Sequence, residues 1–260
     1  MSAQLELSGR RAVVTGASRG IGLATARALV CRGARVALLA RGGERLEQAA
    51  ADLGEAAMAI RADVSDPDSV RAAFTQVRAK LGGLDILVNN AGMAGLHTVE
   101  AASDKELRAQ IDTNLLGVVY CARAAIPMLR EAGGGDIVNV SSSAVADPYP
   151  YLSIYAATKA AVEMFSVALR REVAADGTRV TVFRSGPAWT AFNESWDAET
   201  AAKAYQAWEE GGYPGWGGSM DPDVVGGAIA QIVALPKQAS TEFFELHPTI
   251  HAPSEPQVRK

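Results

Sequence analysis

Tyr155 and Lys159 stand four residues apart in Tyr-Ala-Ala-Thr-Lys, at the start of a long stretch with helical apolar periodicity. That spacing puts a phenol and an ammonium on one face of a helix, where both can reach one small molecule. A free tyrosine holds its proton to a pKa near ~10, so at neutral pH it is a proton donor in need of a basic acceptor. A neighbouring ammonium favours the tyrosinate left behind, because opposite charge stabilises the ionised form. The pair suits reduction of a carbonyl, in which hydride goes to carbon and a proton to oxygen. Asn-Val-Ser-Ser-Ser at 139–143 closes a β-branched run just upstream. One hydroxyl there would bond the carbonyl oxygen and stabilise developing alkoxide charge. Spacing to Tyr155 favours Ser142, and Ser143 stays open because the intervening residues 144–154 contain two prolines.

Hydride needs a carrier, and the N-terminal sixth of the chain offers a place for one. Directly after an apolar run comes Thr15-Gly16-Ala17-Ser18-Arg19-Gly20-Ile21-Gly22, and a helical pattern begins there. Glycines let the backbone turn tightly and bring N–H groups against a pyrophosphate, whose charge a helix N-terminus stabilises. A strand-loop-helix setting makes this a dinucleotide loop rather than a bland glycine turn. An acidic residue ending the second strand would bind the 2′-hydroxyl of NAD and repel a 2′-phosphate. Ala40 and Arg41 stand there instead. Arg41, with Arg19 inside the loop, can form charge-assisted bonds to that phosphate, so the expected cofactor is NADP(H).

The elements that must position these groups are legible as a repeat. Short β-branched or Leu-rich runs at 11–15, 35–39, 57–61, 84–88, 136–140 and 179–183 alternate with Ala-rich amphipathic stretches, including 21–31, 44–53 and 68–80. Buried parallel strands alternating with helices read this way. Asp66-Pro67 is a cap and first-turn pair for the third helix. The expected fold is α/β, a Rossmann-like doubly wound parallel sheet of about seven strands in one domain over 1–260. The rhythm breaks at 188–220, which carries Phe192, Trp196, Tyr205, Trp208, Tyr213 and Trp216, and resumes with a helix at 223–235 and a strand at 241–246.

In order and separation, the glycine loop, Asn89-Asn90-Ala91-Gly92, Asn114 within Asp-Thr-Asn-Leu-Leu-Gly, the serine run and Tyr155/Lys159 resemble the short-chain dehydrogenase/reductase family. The resemblance spans roughly residues 8 to 246 and adds roles that spacing alone does not give. It implies that Asp63-Val64 contacts adenine and that Asn90, Ala91 and Gly92 support the middle of the cofactor. It implies that Lys159 bonds the ribose hydroxyls, and that Asn114 holds a water linking Lys159 to solvent. Gly186 and Thr190 match the family's nicotinamide loop, whereas Ser185 replaces its usual proline. Proline fixes φ, so Ser185 is expected to leave the loop looser. The family places its substrate lid where the aromatic segment 188–220 lies, and Gly211, Gly212, Gly215, Gly217 and Gly218 would let it move. Apolar walls imply a hydrophobic ketone, aldehyde or alcohol as substrate, the alternative being that these aromatics only pack the lid helices onto the core or a neighbouring subunit. A homodimer or homotetramer built on the helices of Asn114 and Tyr155 follows by the same analogy.

Composition narrows the alternatives. A formal charge of −4 with scattered Lys and Arg gives no footprint for nucleic acid or anionic lipid. No secretory signal or apolar span of ~18 residues stands out, so a cytoplasmic address is expected. Cys31 and Cys121 sit in apolar helical contexts and read as core thiols. Pro248 between His247 and His251 spoils a helical ligand pair, so no metal site is expected. His97 could line the mouth of the pocket, and Arg184 reads as a strand-end surface charge in preference to a contact with the substrate region. Two other classes compete with the reductase. A catalytically silent NADP(H)-binding regulator would lack Tyr, Lys or Ser, and a methyltransferase-like domain would have no use for the Tyr/Lys pair.

Overall fold

A computed structural model describes residues 7–190, 192, 194, 196–213 and 218–249. Trp216, Gly215, Gly217, His251 and most of the C-terminal tail lie outside the described residues. The chain alternates strand and helix as β1 (Arg11–Thr15), α1 (Gly20–Val30), β2 (Arg35–Ala40), α2 (Glu44–Asp52), β3 (Ala57–Arg61), α3 (Pro67–Leu81) and β4 (Ile86–Asn89). It continues with α4 (Asp104–Ile111), α5 (Gly117–Glu131), β5 (Asp136–Ser142), α6 (Ser153–Val173), β6 (Arg179–Ser185), α7 (Ala198–Glu210), α8 (Pro222–Val233) and β7 (Phe243–Leu246). The seven strands form one parallel sheet in the order β3-β2-β1-β4-β5-β6-β7. Period-two alternation divides the core between its faces. Ala12 and Val14 pack with Leu29 of α1, Leu46 of α2 and Ile229 of α8, while Val13 packs with Phe74 of α3, Leu129 of α5 and Leu169 of α6.

Helix α3 begins as its sequence directs, with the Asp66 carboxylate accepting from the Asp68 N–H at 2.9 Å and Pro67 in the first turn. Strand ends differ from the expected ones where polar residues extend the ladder. β5 runs on to Ser142 and β6 to Ser185, because Ser141 pairs with Arg184 and Ser142 with Ser185 across the sheet. Apolar pattern alone stops both strands too early. α1 ends at Val30, which leaves Cys31 as its C-cap and exposed rather than in the core. Cys121 is buried, and burial pushes its thiol up to about 12.

The strand order reverses between β1 and β4. At such a switch point the two following loops diverge and leave a crevice at the carboxyl ends of the strands. The glycine loop follows β1 and the Asn-Asn-Ala-Gly turn follows β4, so both face that crevice.

Candidate active site

Three elements beside the crevice carry the reactive groups. β5 ends at Ser142, the first two turns of α6 carry Tyr155 and Lys159, and Asn114 lies in a π-helical turn, Asp112–Leu116, between α4 and α5. Tyr155 and Lys159 are both buried, and Ser142 is hydrogen-bonded to the Tyr155 phenol. The Ser142 hydroxyl also accepts from the Ala144 N–H at 3.2 Å. Alternation sends Ser141 to the other face, where it donates to Glu163 at 2.7 Å, and Ser143 opens a short 3-10 turn. Of the three serines, Ser142 is the one that meets the phenol.

Lys159 Nζ donates to the Val140 carbonyl at 2.8 Å and lies 5.9 Å from the centre of the Tyr155 ring. Burial pushes the Tyr155 phenol up to about 12, the Ser142 bond opposing it, and burial pulls the Lys159 ammonium down to about 8. In this state burial outweighs any lowering of the phenol by the neighbouring ammonium. Both groups are removed from water, which disfavours either charge, and Nζ is directed at a carbonyl. Tyr155 keeps its proton at neutral pH, and Lys159 titrates close to it.

Asn114 acts as a clamp. Its Oδ1 accepts from the Met93 N–H at 2.8 Å, while Nδ2 donates to the Met93 carbonyl at 2.8 Å and to Thr158 Oγ1 at 3.0 Å. Thr158 in turn donates to the Tyr155 carbonyl at 2.7 Å. The turn after β4 is thereby tied to the helix of Tyr155. The π turn, in which the Gly117 N–H reaches five residues back to the Asp112 carbonyl, re-aims the helix where Asn114 points inward. A Cβ on Gly92 would stand 3.4 Å from both Asn114 Oδ1 and Lys159 Nζ, so the two polar groups flank Gly92.

The glycine loop has the shape of a cradle. Gly16 and Gly20 take φ of +66° and +56°, a region in which other residues are strained. A Cβ on Gly22 would lie 2.4 Å from the Gly16 carbonyl and 2.6 Å from Asn90 Nδ2. Thr15 and Asn90 lock the two loops together: Thr15 Oγ1 accepts from the Asn90 and Ala91 N–H groups at 3.0 Å, and Asn90 Nδ2 donates to the Thr15 carbonyl at 3.0 Å. The α1 N-terminus has no side-chain cap. Its first N–H groups therefore suit a pyrophosphate, and the residues present fit a dinucleotide. Ser18 lies in the loop, Ile21 packs onto the core under it, and the Thr190 methyl lies 3.2 Å from where a Gly20 Cβ would be.

At the far end of the crevice, Arg41 is exposed and makes no ion pair among the described residues; Arg19 pairs with Glu194 at 2.7 Å. Arg41, Ser65, Met93 and Thr113 share a cleft of about 580 Å³ with one side of α4. Asp63 accepts from the Ser65 N–H at 3.0 Å and hydroxyl at 2.6 Å, which fixes the turn after β3, and Val64 packs against Gly117.

Three expectations need correction. Ser185 does not loosen its loop: having an N–H that proline lacks, it extends β6, pairs with Ser142 and Leu246, and bonds the Gly186 carbonyl at 2.9 Å. Gly186 then donates to the Leu246 carbonyl at 2.8 Å. Arg184 is half-buried, held by Glu163 at 2.7 Å and Glu245 at 3.2 Å over the Phe243 ring. His97 is buried against Gln110 of α4 at 3.2 Å rather than at a pocket mouth. Trp189, at the edge of the aromatic segment, stands 71% exposed.

Other described residues of that segment lie over the crevice. Phe192 lies edge-on to the Tyr155 ring at 5.5 Å and to Trp196 at 6.5 Å. Trp196 Nε1 donates to the Ala94 carbonyl at 3.0 Å, and Trp208 of α7 to the Pro150 carbonyl at 2.8 Å. Among the described residues no cluster of His, Cys, Asp or Glu could hold a metal ion, and no helix is long and apolar enough to cross a membrane.

The model of the short chain dehydrogenase family matches residues 10–201. The chain belongs to that family. It is 31% identical to an NADP-dependent 3-hydroxy acid dehydrogenase of Salmonella typhi, covering 91% of this chain and 94% of the relative. It is 41% identical to a cis-4-hydroxycyclohexanecarboxylate dehydrogenase of Sinomonas cyclohexanicum, over 70% of this chain and 74% of that one. An alcohol dehydrogenase from the archaeon Thermococcus sibiricus, solved with 5-hydroxy-NADP, superposes with a TM-score of 0.80 at 31% identity, covering 94% and 99% of the two chains. This short-chain dehydrogenase is therefore an oxidoreductase by family.

Several groups in this short-chain dehydrogenase escaped the sequence reading. Thr15 and Thr158 are linchpins of the two loops, and Asn89, Asn139 and Ser166 form a buried chain of bonds at 2.8 Å. Polar residues inside apolar strands and helices were the available signal. The Phe192 contact and the Arg19–Glu194 pair have no signal in spacing at all.

Proposed function

We propose that this short-chain dehydrogenase reduces an apolar ketone or aldehyde with NADPH in preference to NADH, and oxidises the corresponding alcohol in reverse. The observation that carries this reading is the meeting of Ser142 and Lys159 on a buried, protonated Tyr155 beside the glycine cradle. The backbone of Gly16, Ser18, Arg19, Gly20, Ile21 and Gly22 would hold the pyrophosphate, and Arg19 and Arg41 the 2′-phosphate. Asp63 and Val64 would meet the adenine, Asn90, Ala91 and Gly92 the central portion, and Lys159, Gly186 and Thr190 the nicotinamide riboside. When bound, NADPH supplies the hydride that the carbonyl carbon takes.

The protein's own groups do the rest. The Ser142 hydroxyl donates to the carbonyl oxygen and stabilises the charge that builds there. Tyr155 Oη gives that oxygen its proton. The Lys159 ammonium stabilises the tyrosinate so formed, and Asn114 holds the Met93 turn and the Tyr155 helix in register. Phe192 excludes water from the phenol. In this reading 1–260 is one catalytic domain in the cytoplasm, with residues 188–220 as substrate lid. Exposed Met164 and Val167 on α6 support pairing of two copies through the helices of Asn114 and Tyr155.

NADPH absorbance followed against aliphatic, aromatic and polycyclic ketones tests the proposal. Turnover of at least one apolar ketone, faster with NADPH than NADH, is expected. Tight NADPH binding with no carbonyl turned over would instead mark a silent binding protein.

A further inference from the structure

Arg19 and Glu194 belong to different parts of the molecule, one in the glycine loop and one in the aromatic segment, yet their side chains meet at 2.7 Å. The other acids near Arg19 are already engaged. Asp221, Asp223, Arg19, Gly20 and Thr190 line one cleft of about 270 Å³. Within it Asp223 pairs with Arg27 at 2.7 Å, and Asp221 caps α8 by accepting from the Asp223 N–H at 2.8 Å. Glu194 is thus the anion that Arg19 has taken. Arg41, the second cation assigned to the 2′-phosphate, has no ion pair among the described residues.

We propose that Glu194 is an internal competitor for the 2′-phosphate subsite, a cofactor-specificity residue whose carboxylate occupies Arg19 until NADPH displaces it. This rests on the reading of Arg19 and Arg41 as phosphate ligands. A 2′-phosphate carries close to two negative charges and cannot share Arg19 with a carboxylate at no cost, since like charges a few ångströms apart repel. NADH brings no charge to this point, leaves the pair intact, and is indifferent to it. Glu194 therefore lowers the affinity for NADPH while leaving that for NADH alone. Both side chains are largely exposed, so the effect is that of a surface ion pair and is screened by salt.

The test measures dissociation constants of NADPH and NADH by quenching of tryptophan fluorescence, at low and high ionic strength, for wild type, Glu194→Gln and Glu194→Lys. The exposed position makes both variants foldable, and no turnover is needed. Exposed pairs contribute ~0.2–1 kcal/mol, so Glu194→Gln should bind NADPH about 1.4- to fivefold more tightly. Glu194→Lys should bind it more tightly still, NADH affinity should stay level across the series, and the gain should shrink in high salt. A wild type that prefers NADPH, with affinity unchanged or weakened in Glu194→Gln, overturns the competitor and leaves the phosphate ligands standing. A wild type that binds both cofactors alike overturns the phosphate reading and the competitor with it.

Discussion

The sheet floor of the crevice and the aromatic segment above it are built by different means. On the floor the groups around the Tyr155 phenol are tied to backbone: Lys159 to the Val140 carbonyl, Ser142 to the Ala144 N–H, Asn114 to both backbone groups of Met93, Asn90 to the Thr15 carbonyl. Those bonds are buried or part-buried, and the turns that make them are anchored to strands and long helices packed on two apolar layers. The described part of the cover is held by Ala204 and Trp208 of α7 in an apolar cluster with Leu152 and Tyr155, by bonds that include those from Trp196 and Trp208, by ring edges, and by the exposed Arg19–Glu194 pair. Chemistry that must place a proton to within a fraction of an ångström sits on the first kind of scaffold. On the proposed function, selection of the molecule brought to it would sit on the second, where a change in ring or charge would alter the pocket without disturbing the floor.

If that division holds, floor substitutions should reduce kcat and cover substitutions should move KM and selectivity. After loss of the Tyr155 hydroxyl itself, the largest effect expected is from Ser142→Ala, which removes the proposed donor to the developing alkoxide and should lower kcat ~10²–10³-fold with little change in NADPH affinity. A loss confined to KM would take Ser142 out of the chemistry. Next is pH. Lys159 titrates at about 8 in the folded chain, so its stabilising charge is present below that pH and disappears above it. Tyr155, pushed up to about 12, remains protonated throughout. The rate of reduction should fall toward tenfold per unit above about pH 8, and a flat profile from 7 to 10 would contradict the role given to the ammonium.

At the edge of the floor, Arg41→Asp should lower the ratio of NADPH to NADH efficiency by about tenfold or more, given ~1.5–3 kcal/mol for hydrogen bonds to charged groups. A ratio that barely moves means Arg41 does not read the phosphate. The smallest effect belongs to the cover. Trp196→Phe loses one bond, to the Ala94 carbonyl, and should raise KM for the ketone about fivefold while kcat stays within a factor of two, from ~1 kcal/mol for a neutral hydrogen bond. A collapse of kcat instead would make the cover part of the catalytic floor.

The same division explains what could be read in advance. The floor repeats β-α units whose apolar runs are visible without a structure, and its reactive residues close strands or open helices, where type and spacing are informative. Strand ends were misjudged because Ser141, Ser142, Arg184 and Ser185 are polar residues that continue a ladder. Arg184 and His97 escape a local pattern because each packs on partners in other elements, the half-buried Arg184 on Glu163 and Glu245 and the buried His97 on Gln110, and no periodicity encodes such a meeting. The cover was legible only as a concentration of aromatics. Which ring touches Tyr155 depends on how an irregular segment crosses the crevice, and periodicity is silent there.

The central claim is that the Tyr155 hydroxyl is the proton donor on a floor otherwise complete. Tyr155→Phe removes that oxygen and keeps the ring that Phe192 covers. NADPH dissociation constant and NADPH oxidation with a ketone that the wild type turns over, measured on the same preparation, test it most directly. The account predicts NADPH binding within about a factor of two of wild type and turnover reduced at least ~10²–10⁴-fold. A variant that reduces the ketone at the wild-type rate would contradict it.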